Sequence, residues 1–314
     1  MTESSNTKRV LVTGASGFIG RQSLEPLQRR GFEVHAVYLT KPLDGTHGVT
    51  WHKADLLNEN DSRVLCQEVR PTHLLHFAWY VHPKDYKTSS KNEQWVRATL
   101  ALMRAFKEHG GERAVLAGTA MEYDWSIPQD FLSESNSPLR PANPYGKSKH
   151  ETHLASLAFA RDHKLSFAWG RIFLLYGPYE APARLVPYII NALLDNKIAE
   201  CTSGEQIRDI LHVADVGDAF AALIDSPIEG AVNIGSGSPT PLKEIILTIG
   251  DILEKRECIR LGAISTDEAP RLVFDTGRLM NEVGWRPRYT LENGLRETIE
   301  WWKENRAQYR YSSQ

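Results

Sequence analysis

A chain of 314 residues with a net charge of -2 is long enough to bury a large core and offers no basic excess for nucleic acid or an acidic membrane. Its three cysteines, Cys66, Cys201 and Cys258, form no CxxC pair and are odd in number, which argues for a reducing, cytoplasmic setting rather than a disulfide framework. The polar opening MTESSNTKR lacks the apolar core of a signal peptide, and no apolar run approaches the roughly 18 residues of a membrane span.

In chain order, short apolar strands alternate with longer amphipathic segments, the pattern of a parallel sheet covered by helices. Residues 9–12 predict a buried strand, followed by a glycine-rich turn and a helix from about Phe18 to Arg30 that Gly31 ends. Strands are expected at 32–39, 73–78, 114–117 and 165–169, with helices at 58–69, 92–109 and 144–163. After Arg171 the pattern loosens. Pro178, Pro182 and Pro187 mark loops around a helix at 185–196, followed by helices at 213–225, 242–254 and 291–306 and a short strand at 230–234.

The turn Thr13-Gly14-Ala15-Ser16-Gly17-Phe18-Ile19-Gly20 follows a strand and opens a helix, the setting of a dinucleotide site. Gly14 allows the tight turn, Gly17 lets backbone approach a pyrophosphate, and Gly20 lets the helix pack close to the sheet. Ser16, Phe18 and Ile19 join them at the cofactor, whose pyrophosphate rests on the positive end of the helix. A carboxylate at the end of the second strand would select NAD(H) through the ribose 2′-hydroxyl. That position is Tyr38, and no acid follows in Leu39-Thr40-Lys41. Lys41, or Arg21 beyond the turn, suits a 2′-phosphate instead, so NADP(H) is favoured and NAD(H) is the alternative.

Tyr145 and Lys149 lie four apart on a predicted helix that Asn143-Pro144 would start, and so share one face. A phenol is a poor acid or base at neutral pH, and a neighbouring ammonium is expected to pull its pKa down. The pair points to proton transfer at a carbonyl.

The spacing GxxGxxG with YxxxK resembles the short-chain dehydrogenase/reductase superfamily, and TGASGFIG resembles its extended, nucleotide-sugar-modifying branch. Further ordered matches are Asp55-Leu56 at the adenine, His76-Phe77-Ala78 beside the pyrophosphate, the RDxxHVxD-like stretch 208–215, the turn 233–237, and Gly284-Trp285-Arg286-Pro287. The resemblance implies an α/β fold: a doubly wound parallel, Rossmann-type sheet with a smaller interleaved C-terminal α/β substrate lobe. Residues 1–172, with about 205–234, would form the dinucleotide-binding domain, and 173–204 with 235–314 the substrate lobe. It further implies that Thr119 holds the substrate oxygen, that Lys149 also reaches the nicotinamide ribose, and that Arg208 neutralises a diphosphate. Arg184 and Arg271 are further candidates for the diphosphate. Helices 92–109 and 144–163 would pair two copies into a homodimer.

Departures from the family pattern narrow the chemistry. The 4,6-dehydratases resemble TDEVY where this chain has Thr119-Ala120-Met121-Glu122-Tyr123, so an elimination acid pair is missing. Reductases that also epimerise resemble SSCIY, and Met121 replaces their cysteine. Glu122 occupies a position that is usually apolar; it either faces the substrate or is a solvated strand-end carboxylate. Trp95 and Leu174 replace asparagines. Trp79 and Tyr80 stand on the sugar side; Trp79 either suits a deoxygenated, more apolar hexose ring or is simply core. No His, Cys, Asp or Glu cluster has metal-ligand spacing, and no metal is expected. The expected activity is NADPH-dependent reduction of a nucleotide-linked 4-keto-6-deoxyhexose. The alternatives are an NAD-dependent nucleotide-sugar 4-epimerase and, remotely, a non-catalytic dinucleotide-binding redox sensor.

Overall fold

Residues 8–310 are described by a computed structural model of the chain. Val10, Leu11 and Val12 are fully buried in β1 (Arg9–Thr13), because an uninterrupted apolar strand is covered on both faces. Around it stand β2 (Glu33–Tyr38), β3 (Val49–Lys53), β4 (His73–His76), β5 (Arg113–Thr119) and β6 (Ser166–Ile172). Later strands are β7 (Leu174–Tyr176), β8 (Ala199–Glu200), β9 (Ile207–His212), β10 (Gly230–Ile234), β11 (Pro239–Pro241), β12 (Ile259–Arg260) and β13 (Arg271–Leu272). The large sheet runs β10-β6-β5-β4-β1-β2-β3, and every pairing in it is parallel.

Helices α1 (Gly20–Arg29) and α6 (Val213–Asp225) cover one face of this sheet, burying Leu24, Leu27, Phe220 and Leu223. The other face lies under α2 (Glu59–Val69), α3 (Lys91–Glu108) and α4 (Pro144–Asp162), through Leu65, Leu102, Phe106 and Ala160. The strand order reverses at β1, between β2 and β4. Such a switch point opens a crevice at the carboxyl ends of the strands, where open α/β sheets bind their ligands.

The second layer is built on β9, which pairs parallel with β7 and β13 and antiparallel with β11. Helices α5 (Leu185–Leu194), α7 (Leu242–Ile252) and α8 (Leu291–Arg310) close around Ile189, Ile245, Ile249, Leu295 and Trp302. Within 205–234, therefore, α6 and β10 complete the large layer whereas β9 stands in the small sheet.

The sequence pattern leaves several strands unannounced, and for β3 and β9 the physical reason is plain. Residues of β3 are all half-buried or exposed at the sheet edge, so no clean alternation marks it. In β9 the apolar run is broken by Arg208 and Asp209, both of which are buried. Asp209 accepts the backbone N–H groups of Ser236 (2.7 Å), Gly237 (2.9 Å) and Phe274 (3.3 Å), which locks the turn after β10 onto β9.

Candidate functional site

The turn after β1 is shaped by backbone proximity. Gly14 has φ +65°, and a Cβ there would lie 2.8 Å from the Ala78 amide nitrogen. A Cβ on Gly20 would lie 2.2 Å from the Gly14 carbonyl oxygen. The Gly17 N–H donates to that same carbonyl at 2.9 Å. No side chain caps the start of α1. Glycines whose places any side chain would fill, at an uncapped helix start, fit the pyrophosphate of a dinucleotide. Ser16, Phe18 and Ile19 are half-buried along this turn, and Phe77 packs edge-on against Phe220 with centroids 4.9 Å apart. The turn is tied to β4 by Thr13, whose hydroxyl meets His76 Nδ1 at 2.7 Å and accepts the Ala78 N–H at 3.3 Å. Burial holds His76 near a pKa of about 3, so it is a neutral hydrogen-bonding strut.

At the end of β2, Tyr38 is half-buried and meets Trp51 edge-on, while Leu39 and Lys41 are exposed. No carboxylate stands there. Asp55 is exposed and its carboxylate accepts the Leu57 N–H at 3.0 Å, with Leu56 buried beside it. Arg21 is committed elsewhere than expected. Its guanidinium donates to the carbonyls of Gly17 (3.1 Å) and Ser16 (2.8 Å) and lies 3.7 Å from the ring centroid of Tyr179. Two exposed basic side chains stand at the end of β2, Lys41 in the loop that follows it and Lys53, paired opposite Tyr38 on β3.

The second half of the site is set by the start of α4. Asn143 accepts the Gly146 N–H at 2.9 Å, and Pro144 occupies the first turn, where a missing N–H is harmless. One turn apart, Tyr145 and Lys149 both enter the crevice buried, and Thr119 at the end of β5 lies close enough to Tyr145 to favour its ionisation. The Tyr145 ring meets Tyr86 at 5.0 Å and Trp79 at 6.5 Å, both edge-on. Lys149 Nζ donates to the Ala117 carbonyl at 2.9 Å and lies 3.8 Å over the Trp79 ring.

These surroundings overturn the expected acidification of the phenol. Burial dominates and pushes Tyr145 above its ordinary value, against the lowering influences of Thr119 and Arg184. Burial also brings Lys149 down to about 7. Tyr145 is therefore a protonated phenol at neutral pH, the form that gives a proton away.

Glu122 is neither solvated nor turned to the crevice. Residues 120–122 form a single 3₁₀ turn, and the Glu122 side chain folds back as a fully buried acceptor. Its Oε1 takes the Thr119 N–H and the Trp169 Nε1–H, each at 2.9 Å, and its Oε2 takes the Arg171 Nε–H at 3.1 Å. Arg171 continues to the Tyr123 hydroxyl at 3.1 Å, which donates to Asn233 Oδ1 at 2.7 Å. Neither Arg171 nor Trp169 stands out in the sequence as a partner of the site, since nothing local marks them.

The structure also groups ligand atoms of Glu122, His150 and His153 within 4.8 Å of one another, against the expectation from spacing alone. The Glu122 oxygens are already taken by three donors, one of them a guanidinium, so this is not an open cation site. His153 stacks on Trp169 at 5.0 Å, and burial, aided by Arg171, lowers it to about 3.

Of the arginines considered for a diphosphate, Arg208 is buried and donates to Glu268 at 3.0 Å and to the Ile207 carbonyl. Arg271 donates to the Asp130 carbonyl. Arg184 is exposed at the start of α5, 5.3 Å over the Tyr86 ring and close enough to favour ionisation of Tyr145. Trp79 is buried, its N–H given to Asn92 at 2.9 Å and its ring stacked on Trp95 at 6.2 Å. Tyr80 is half-buried against this cluster, and its hydroxyl donates to Asp85 at 2.8 Å.

Residues 10–235 match the family model described as the NAD dependent epimerase/dehydratase family. The chain is 26% identical over 325 residues to the dTDP-D-glucose 4,6-dehydratase of Mus musculus, covering 95% of this chain and 89% of that one. The dTDP-glucose 4,6-dehydratase of Streptomyces venezuelae, solved with NAD bound, aligns with a TM-score of 0.83 at 26% identity, over 96% of this chain and 98% of that one. The UDP-glucose 4-epimerase of Thermus thermophilus, solved in complex with NAD, aligns with a TM-score of 0.81 at 26% identity, over 94% and 99%. The chain belongs to the NAD dependent epimerase/dehydratase family, within the extended short-chain dehydrogenases/reductases.

Proposed function

We propose that this member of the family reduces the C4 ketone of a nucleotide-linked 4-keto-6-deoxyhexose, with NADPH as reductant. The observation that carries the reading is the turn after β5. Ala120 and Met121 occupy the places of the dehydratase acids, and the adjacent carboxylate, Glu122, is held inward by Arg171, Trp169 and the Thr119 amide. No carboxylate of that turn is free for proton elimination beside Tyr145, which leaves hydride and proton transfer at one carbon–oxygen bond.

The cradle after β1 would hold a nicotinamide dinucleotide, whose chemistry when bound would be delivery of the hydride. Tyr145 gives its phenolic proton to the developing alkoxide, while the Thr119 hydroxyl orients that oxygen and carries part of its charge. Lys149, one turn along α4, would hold the ribose of that cofactor. Exposed Arg184 takes the diphosphate at the mouth of the crevice, with Arg208 behind it once its exposed partner Glu268 yields. Lys41, with no carboxylate beside it, supports the choice of NADPH over NADH. Purified protein incubated with NADPH or NADH and a panel of 4-keto sugar nucleotides tests the reading; no cofactor oxidation with any of them refutes it. The NAD-bound epimerase relative favours a second reading, a 4-epimerase that retains its cofactor. Stoichiometric NAD copurifying with the protein, together with interconversion of C4 epimers without added reductant, would establish that one. Pairing of two copies through α3 and α4 is part of the proposal, and sedimentation at micromolar concentration checks it.

A further inference from the structure

We propose that Trp79 is a positioning residue for Lys149: its ring face seats the ammonium, and Asn92 fixes the ring. The inference rests on the reading of Lys149 as the lysine of the proton-transfer pair, and assigns Trp79 a role other than a wall for the sugar.

Lys149 is only 4% exposed, yet it makes no salt bridge among the described residues. Its protein contacts are the Ala117 carbonyl at 2.9 Å, the Trp79 ring at 3.8 Å and, farther off, the Trp169 ring at 5.9 Å. A desolvated ammonium without a counter-ion needs compensation, and the negative face of an indole is the strongest aromatic partner for it. The charged and titratable groups around it supply little else. On the turn after β5, Glu122 favours the ammonium but spends its hydrogen bonds on Arg171, Trp169 and Thr119. At the end of β4, His76 is neutral, and on α4 itself Tyr145 keeps its proton.

The seat is itself braced. Trp79 Nε1–H donates to Asn92 Oδ1 at 2.9 Å, and Asn92 is 1% exposed, with its amide donating to the carbonyls of Tyr86 (2.7 Å) and Ser89 (2.9 Å). The ring is also stacked on Trp95, with centroids 6.2 Å apart, and Tyr145 leans on it edge-on. Both members of the proton-transfer pair thus bear on one indole held by Asn92 and Trp95.

Fluorinated tryptophans placed at position 79 keep the ring's shape while withdrawing charge from its face. The Lys149 ε-carbon resonance of ¹³C-lysine protein, identified by its absence in Lys149→Met, reads the titration directly. Stepwise fluorination is expected to lower the Lys149 pKa progressively, by roughly one unit for the fully fluorinated ring. At pH 7 a fall of that size from about 7 cuts the charged fraction, and with it kcat/KM, about fivefold. Trp79→Leu and Asn92→Ser are expected to lower kcat with little change in the sugar KM. A Lys149 titration that ignores fluorination overturns the proposal, as does a Trp79→Leu variant that raises KM alone. The NMR titration needs no sugar substrate, so failure to find a 4-keto substrate would remove the proposed activity without touching this result.

Discussion

Removing the Glu122 carboxylate should unfold much of what the site depends on. Glu122→Ala leaves the Arg171 guanidinium, 1% exposed, without its counter-charge, and orphans the N–H groups of Thr119 and Trp169. Breaking one side of a buried, hydrogen-bonded pair costs about 3–5 kcal/mol. Water entering the vacated space repairs the two N–H groups only in part, adding about 1 kcal/mol. The expected loss is about 5 kcal/mol, a large share of the roughly 5–15 kcal/mol that holds a folded chain together. For a chain of 314 residues it corresponds to a melting temperature lower by roughly 7–8 °C. Glu122→Gln, which still accepts from Thr119 and Trp169 but sets an amide against Arg171, should lose about 3 kcal/mol. Urea denaturation followed by far-ultraviolet circular dichroism gives both values. A double-mutant cycle sharpens the test, because replacing Glu122 and Arg171 together by Met removes both charges and should cost less than the sum of the single changes. Strict additivity, or a Glu122→Ala protein within 1 kcal/mol of the parent, would show that the pair does not act as one buried unit.

Tyr145→Phe should lower kcat by roughly 10²–10⁴-fold while NADPH still binds, and Thr119→Val should fall in the same direction with less loss; stopped-flow turnover against fluorescence-measured cofactor affinity separates the two effects. Gly20→Ala puts a methyl group 2.2 Å from a backbone carbonyl that cannot step aside, so NADPH affinity should drop at least about 100-fold, and an unchanged Kd by calorimetry would refute the cradle. His153 is lowered to about 3 in the folded chain against 6.5 in the unfolded one, so the unfolded state binds more protons between those values and stability falls as pH falls through that window. His153→Phe keeps the stack on Trp169 and should make the loss of stability between pH 6 and 4.5 shallower by about 1.4 kcal/mol per pH unit; parallel acid limbs for parent and variant would count against it.

What a single sequence disclosed here was local. The glycine turn declares itself because a positive φ at Gly14 and a close approach at Gly20 are demands that only glycine meets, and both residues lie within one turn of chain. Tyr145 and Lys149 declare themselves because helical spacing alone puts them on one face. The residues that hold this pair in place are not local. Parallel pairing of β5 with β6 sets Thr119 opposite Ile172, which brings Glu122 to Arg171 and Trp169 across a strand boundary that no spacing rule encodes. An acid at the end of a strand reads as solvated unless its buried partner is known, and so Glu122 was legible as chemistry but not as architecture. Trp79 has the same history. Its indole reads from sequence as sugar-side or as core, and the structure adds Lys149, Tyr145 and Asn92 as neighbours that reach it from two different helices.

Protonation of the pair bears on the direction of the chemistry. An epimerase must begin by taking a proton from an alcohol, which needs a phenolate. A ketoreductase begins with a proton to give. Burial sets Tyr145 high and Lys149 near 7, so at neutral pH the chain's own side chains stock the giving form. The reduced nicotinamide ring carries no charge and leaves that balance alone, whereas the oxidised ring is cationic and would favour the phenolate. The reductive reaction should therefore run fastest at and below neutral pH and decline as Lys149 loses its proton, with the decline centred near 7. A kcat/KM profile for ketone reduction that instead rises steadily from pH 6 to pH 9 would mean that proton abstraction, not proton donation, is what this site was shaped to do.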